Sequence, residues 1–306
     1  PEASPPVMSD FLELFVSAAS SGCIYSLVAL SYLVMIRPTG IINFAVGEWS
    51  AVGLFAAYFL LSNPWLPLPY GVGIVLAVAF SALIGWGTQR IAVRPLVEKG
   101  APILGPILAL LGMLVVFRES ISLIFGPDPH NVPAPFGMRQ IAIGPFAGTP
   151  RDFFIIACTA VVFIGVWLFF ERTVWGKAFE AVALNRKAAA LMGINLRRVT
   201  VAAFVGGAAI AGFAGVLYSL TAPRDFLLGL PLAIQGFSAL VVGGVGRVEG
   251  AILGGMILAL AEQFTARYAD QVGIPSGLSL GVPFLLMIVF LLVRPTGLLK
   301  PKEARA

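Results

Sequence analysis

Apolar runs follow one another along almost the whole chain, each bounded by a charge, a proline or a glycine. They fall at 11–36, 44–61, 70–93, 102–125, 152–170, 199–221, 232–245, 249–266 and 280–293. A helix needs roughly 20 apolar residues to cross a hydrocarbon layer about 30 Å thick. In lipid, every backbone N–H and C=O must be satisfied within the protein, which leaves helices and closed barrels as the spanning structures. Runs of this length predict an all-α, polytopic transmembrane bundle of eight or nine spans. The run at 232–245 is short for a full crossing, and a tilted, broken or re-entrant segment stays open there. Composition agrees: of 306 residues 58% are hydrophobic and 11% charged, whereas soluble domains carry about 25% charged residues. So few charges cannot clothe a water-facing surface.

The charges that remain mark the ends of the runs. The net charge of +5 sits in loops and sets topology, so it is no sign of a nucleic-acid partner. Lys/Arg-rich segments follow the first, third, fifth and ninth runs. With nine crossings all four fall on one face, the cytoplasmic one, with the N-terminus outside and the C-terminus inside. The chain divides into an extracytoplasmic segment 1–10, a membrane domain 11–299 with a cytoplasmic loop at 172–198, and a cytoplasmic tail 300–306 bearing Lys300, Lys302 and Arg305. The opening PEASPPVMSD lacks the basic region of a signal peptide, and Met8 offers an alternative start. Cys23 and Cys158 lie inside apolar runs and read as small core residues. The single histidine, His130, rules out most histidine-based metal sites, and no metal or cofactor is expected.

The loop ERTVWGKAFEAVALNRKAAALMGINLRRV, residues 171–199, is long, basic and helical in pattern. Helix formers fill 177–192, Gly193 suits the left-handed position after a helix, and Asn195 can cap the next helix. Lys177, Glu180 and Lys187 share one side. Phe179, Val182, Ala183 and Ala190 lie opposite, with Arg186 among them. Two readings stand: an interfacial helix resting on lipid headgroups, or a surface for a protein partner. An acid mixed with bases around a small apolar patch suits the protein partner better.

Charges at membrane depth are costly and face a cavity or a partner. Here they are Glu48, Arg118, Glu119 and Glu262, with Asn43 and Gln235 as neutral companions. Arg118 and Glu119 are neighbours and cannot face each other on a helix, so Glu262 and Glu48 are the candidate partners. The group either locks spans together or lines a polar path. Asn43 is placed to cap the second helix at 44, after a break in which Pro38 expels Arg37 from helical geometry and Gly40 turns the chain. Gly207, Ala211 and Gly215 step by four, as do Gly246, Gly250 and Gly254, which permits close helix packing. GGVGRVEG, residues 243–250, lacks the flanking strand and Lys-Ser/Thr of a phosphate loop. RPTG occurs twice, at 37–40 and 294–297, either as a good helix stop or as the trace of a duplication.

Three stretches, GIINFAVGEWSAVG (40–53), GKAFEAVALNRKAAALMGIN (176–195) and VVGGVGRVEGAILGGMILALAEQF (241–264), with the closing VRPTGL (293–298), resemble the permeases of high-affinity branched-chain amino acid ABC transporters. One departure is Val46, where members of that family often carry histidine before Gly-Glu. The resemblance implies a permease subunit in the inner membrane of a bacterium, not itself an enzyme. Its partners would be a second permease, two ATP-binding subunits that hydrolyse ATP, and a periplasmic solute-binding protein. It also implies that a cytoplasmic helix with a Glu-Ala…Gly pattern sits in a cleft of the ATPase. Glu180, Ala181 and Gly193 match that pattern, and Asn185 and Arg186 complete the expected contact. Asn43, Glu48, Gln235 and Glu262 are the expected path or gate. Rival readings are an ion-coupled secondary transporter, a membrane-embedded enzyme, a purely structural subunit, and an importer of the same type for urea, amides or aromatic acids.

Overall fold

The structure is a computed structural model that describes residues 6–136, 141–143, 146–268, 281–294 and 296–299. Arg139, the connection expected beyond Tyr268, Leu280 at the start of the ninth run, residues 1–5 and the tail bases lie outside the described residues.

Helices occupy the expected runs in the expected order. They are α1 (Pro6–Thr39), α2 (Val46–Ser62), α3 (Tyr70–Thr88), a π segment (Gln89–Val93) continuing into α4 (Arg94–Glu98), and α5 (Leu104–Phe125). A two-stranded antiparallel hairpin, β1 (Ile141–Ile143) and β2 (Phe146–Gly148), precedes α6 (Pro150–Arg172). Then come α7 (Val174–Leu184), α8 (Arg186–Leu191), α9 (Leu196–Ser219), a 3₁₀ turn (Phe226–Leu228), α10 (Gly229–Gly243), α11 (Val248–Tyr268) and α12 (Val282–Val293). Among the described residues, seven helical spans are long and apolar enough to cross a membrane, and Val46–Ser62 and Val282–Val293 are shorter apolar helices. At 1.5 Å per residue the 22 residues of α5 reach about 33 Å, a full crossing; the 17 of α2 reach about 25 Å. The short seventh run gains length from its 3₁₀ entry, so the apolar segment runs Phe226–Gly243 over 18 residues.

The chain forms two compact units. One holds residues 30–133 and 162–234. Its core is α2, α3 and α9 packed through small residues. A Cβ on Gly53 would enter the backbone of Gly212, and one on Gly215 would enter Ser50. Gly85 is closed in the same way by Ala208 and Phe204. Backbones this close leave polar side chains to satisfy carbonyls across helices: Ser31 Oγ donates to Gly207 O (2.8 Å) and Ser81 Oγ to Trp49 O (3.2 Å). Trp49, Tyr32, Phe55 and Phe204 are fully buried around these contacts.

The other unit holds residues 1–29, 134–161 and 235–306. There α1 meets α11 through Gly22 against Met256, and Gly255 against Ser26. Ser26 Oγ donates within its own helix to Gly22 O (2.6 Å) and lies 3.3 Å from Ile252 O. α10 and α11 approach through Gly254 on Ala239 and Gly250 on Gly243. Gly246 is not a member of that helix stripe. It lies in the turn before α11 at φ +135°, a conformation that glycine adopts freely.

Large apolar side chains point away from protein on α5, α6 and α12: Leu123 is 87% exposed, Val161 69% and Leu292 80%. In a membrane chain these faces meet lipid.

Three boundaries differ from the sequence-based expectation. α1 begins at Pro6, ahead of the apolar run that starts at 11; proline is well tolerated in a first turn. α1 also continues through Arg37 and Pro38 to Thr39. Thr39 Oγ1 donates to Met35 O (2.6 Å) and Gly40 N to Ile36 O (2.7 Å), so the last turn closes around the proline before Gly40 turns at φ +67°. Asn43 does not cap α2, whose first flanking residue is Ala45. Its Oδ1 accepts from Ala45 N (2.9 Å) one step earlier, forming an Asx turn that leads into the helix. The two RPTG segments share a left-handed glycine, Gly40 at φ +67° and Gly297 at φ +72°. Beyond that glycine they diverge. After the second, the Leu298 and Leu299 N–H groups donate to Val242 O (3.0 Å) and Gly243 O (3.1 Å), capping the end of α10.

Candidate functional site

Two places carry chemistry, the segment joining α6 to α9 and the polar groups at membrane depth.

The segment starts at Thr173, whose Oγ1 donates to Phe169 O (2.6 Å) and accepts from Gly176 N (3.0 Å), capping α7. α7 then folds back onto the end of α6. Phe179 is buried edge-on against Phe169 and Phe170, with ring centroids 5.7 and 5.9 Å away. The turn is tight enough that a Cβ at Gly176 would enter the Phe169–Phe170 backbone. The guanidinium of Arg37, at the end of α1, lies over the Phe170 ring at 5.0 Å. Arg186 Nη1 donates to Thr39 O (3.3 Å). The segment is thus fastened to the ends of α6 and α1.

The single helix expected over 177–192 is two. Asn185 leaves helical geometry at φ −155°, and its Oδ1 accepts from Ala188 N (3.0 Å), so it ends α7 and caps α8. The break changes the register: Phe179, Val182 and Ala189 are buried, whereas Ala183 and Ala190 are exposed. Gly193 takes the left-handed turn at φ +83°, and Asn195 Oδ1 accepts from Arg198 N (3.1 Å) at the start of α9. Glu180 is half-exposed and paired with Lys177 (3.2 Å), which also faces Glu171 at 3.9 Å. Ala181 is half-buried beside it. Around Asn185 and Arg186, both exposed, stand Leu184 at 70%, Leu191 at 89% and Met192 at 83% exposure.

At membrane depth the structure brings together two sets. Glu48, fully buried at the start of α2, accepts from Arg118 Nη2 at 3.3 Å. Arg118 stands fourteen residues along α5, about 21 Å from its first residue, within an apolar helix of membrane length. Glu48 Oε2 and Arg118 Nε are buried without hydrogen bonds. Gly229, the first residue of α10, leaves room for the carboxylate, since a Cβ there would collide with it. Glu119 faces outward, exposed. In the other unit Glu262, also fourteen residues along its helix, accepts from Tyr25 Oη (2.9 Å) and Gln235 Nε2 (3.4 Å). Of the two partners named for Arg118, the structure selects Glu48. Asn43 is fully buried, with Nδ2 at 3.6 Å from Met35 Sδ.

Sequence reasoning missed Tyr25, Gly176 and Gly229. The signal for Tyr25 was present, because a tyrosine hydroxyl inside an apolar run must find an acceptor. The two glycines carry no local signal; only the neighbours they admit reveal them. His130 also gains a role in the fold. It exchanges backbone bonds with Arg224 (2.8 Å each way) and packs edge-on to Tyr58 at 4.4 Å.

Helices of membrane length, exposed apolar faces, and carboxyl groups at depth answered by Arg118 or by Tyr25 and Gln235 define a polytopic membrane protein. The sequence profile described as "Branched-chain amino acid transport system / permease component" matches residues 14–291, and the chain belongs to that family. It is similar to the high-affinity branched-chain amino acid transport system permease protein BraD of Pseudomonas aeruginosa, 30% identical over 97% of this chain and 98% of the relative. It is equally similar to the corresponding LivH of Escherichia coli, 30% identical over 96% of both chains. Among solved structures, PsaBC from Streptococcus pneumoniae in complex with Fab matches with a TM-score of 0.50 and 11% identity, over 93% of this chain and 91% of the other. At that identity the likeness concerns the fold alone.

Proposed function

We propose that this chain is the inner-membrane permease subunit of an ATP-driven importer for branched-chain or related amino acids. It works beside a second permease, two ATP-binding subunits and a periplasmic solute-binding protein. Family membership supports the substrate class, and one structural observation carries the mechanism: an exposed patch of mixed apolar and charged residues on a segment fastened to two spans. Leu184, Leu191 and Met192 are exposed on the segment that carries Asn185 and Arg186. Exposed apolar side chains set among charged and polar ones suit a protein contact. The docking of α7 on Phe169 and Phe170, with Arg186 on Thr39, supports a rigid push. Closure of the ATPase pair would move α7 and α8 and, with them, the ends of α6 and α1, switching access from one side to the other.

In this reading Glu180, Ala181, Asn185, Arg186 and Gly193 form or shape the ATPase contact. Asn43, Glu48, Gln235 and Glu262 line or gate the path. The N-terminus is outside and the C-terminus cytoplasmic, which puts the basic segment on the inner face. The test is amino acid uptake into proteoliposomes holding the complete complex, with ATP inside or omitted. Uptake that needs both nucleotide and the ATP-binding subunits is expected. Concentrative uptake by this chain alone along an ion gradient would replace the proposal with secondary transport.

A further inference from the structure

An open groove of about 640 Å³ lies where α9 enters the membrane, next to the start of α7. Trp175, Asn195, Arg197, Arg198, Val201 and Val205 are among the residues that line it. Arg197 and Arg198 are exposed. Neither side chain makes a hydrogen bond or salt bridge among the described residues, although the field of Arg197 reaches Glu98. Trp175 is 47% exposed, on the same segment as the neighbouring Val174 at 85%. From Arg198 to Val205 the helix rises about 10 Å, the distance from a phosphate layer to the first part of the acyl chains.

The lining combines two cations, an indole and an apolar wall, and along α9 the cations precede the valines. Water satisfies the guanidiniums but not the valine wall. A small aqueous anion would pair with the arginines and leave that wall bare. One kind of ligand matches the whole lining: a phosphodiester for the two guanidinium forks, an interfacial region for the indole, and a hydrocarbon chain for Val201 and Val205. We infer that this groove is a binding site for one anionic phospholipid, held by Arg197 and Arg198 through its phosphate. Basic pockets beside membrane helices take anionic headgroups in this way. The inference rests on the groove and on the membrane placement of α9, and it is independent of what drives transport.

The test uses the full chain in a nonionic detergent, titrated with phosphatidylglycerol and with phosphatidylcholine of the same acyl length. Native mass spectrometry reads the lipid-bound fraction. The wild-type chain is expected to prefer phosphatidylglycerol. R197Q/R198Q is expected to weaken that lipid on the order of tenfold and leave phosphatidylcholine unchanged, whereas R197K/R198K, which keeps the charges and loses the forks, is expected to fall between the two. Val201→Trp fills the apolar wall without altering charge and is expected to weaken both lipids. Lys187→Gln, a lost charge outside the groove, is expected to have no effect. Thermal melting of each variant confirms that it is folded. Equal loss from Lys187→Gln, or no loss from Val201→Trp, would mean diffuse charge attraction and overturn the site. Displacement of bound phosphatidylglycerol by millimolar inorganic phosphate, or by a soluble acidic peptide, would assign the groove to that ligand instead.

Discussion

Glu48 and Glu262 are two carboxylates within membrane-embedded helices, one in each compact unit, and they are held in different ways. Glu48 is fully buried and answered by a cation, Arg118, at 3.3 Å. Glu262 accepts hydrogen bonds from neutral donors, Tyr25 and Gln235. A charge taken out of water needs compensation, and a cation supplies it in full at the expense of burying a second ion. Neutral donors bury no second charge, and each bond is individually modest. The Glu48 pair is therefore the brittle element: remove one member and the other is stranded. The Glu262 cluster is the more tolerant one, because Glu262 is half-buried and its carboxylate is shared by separate donors, Tyr25 and Gln235.

The largest effect should come from Arg118→Ala, which leaves Glu48 buried and unpaired. A loss of about 3–5 kcal/mol is expected, read as a lower unfolding midpoint of the purified chain in detergent. Glu48→Gln combined with Arg118→Gln should recover much of it. If the double variant is as unstable as the single, the pair is not the cause and the contrast between the two acids fails.

Gly229→Ala comes next. The new methyl group runs into the Glu48 carboxylate, and overpacking of this kind costs about 1–3 kcal/mol. The same melting assay with Glu48→Ala as background sharpens the point, since removing the carboxylate should make the alanine at 229 nearly neutral. Tyr25→Phe probes the other acid. The hydrogen bond to Glu262 goes, and a loss of about 0.6–2 kcal/mol is expected; a loss equal to that of Arg118→Ala would erase the distinction between the two acids. Smallest of all should be Lys177→Ala at the water-facing Glu180 pair, about 0–1 kcal/mol. That value sets the baseline for an acid and a base paired in solvent.

The spans were legible in the sequence because lipid imposes a single demand, an apolar run with its backbone bonded internally. Arg118 could be narrowed to two partners for a similar reason: few charges stand at depth, and each must be answered. What was not legible depended on neighbours from distant parts of the chain. Pro38 stays inside α1 because the bonds from Thr39 and Gly40 complete its last turn. Gly176 and Gly229 look like any other glycine until Phe170 and Glu48 are placed beside them. The split at Asn185 was a different kind of miss. Asparagine is a strong cap, but a run of alanines on its far side concealed the stop. The π segment at Gln89–Val93 and the hairpin in the loop before α6 have no periodic signal.

The proposal that a borrowed engine drives this chain through α7 and α8 is tested most directly by reversing one charge on that segment. Glu180→Lys should leave the chain folded, since the residue is half-exposed in a surface pair. In proteoliposomes with all partner subunits, ATP-driven uptake and ATPase retention on the permease are measured together. Uptake is expected to fall on the order of tenfold or more, as when about 1.4 kcal/mol of a contact is lost, with weakened ATPase retention. Full assembly with unchanged uptake would remove this segment from the coupling role.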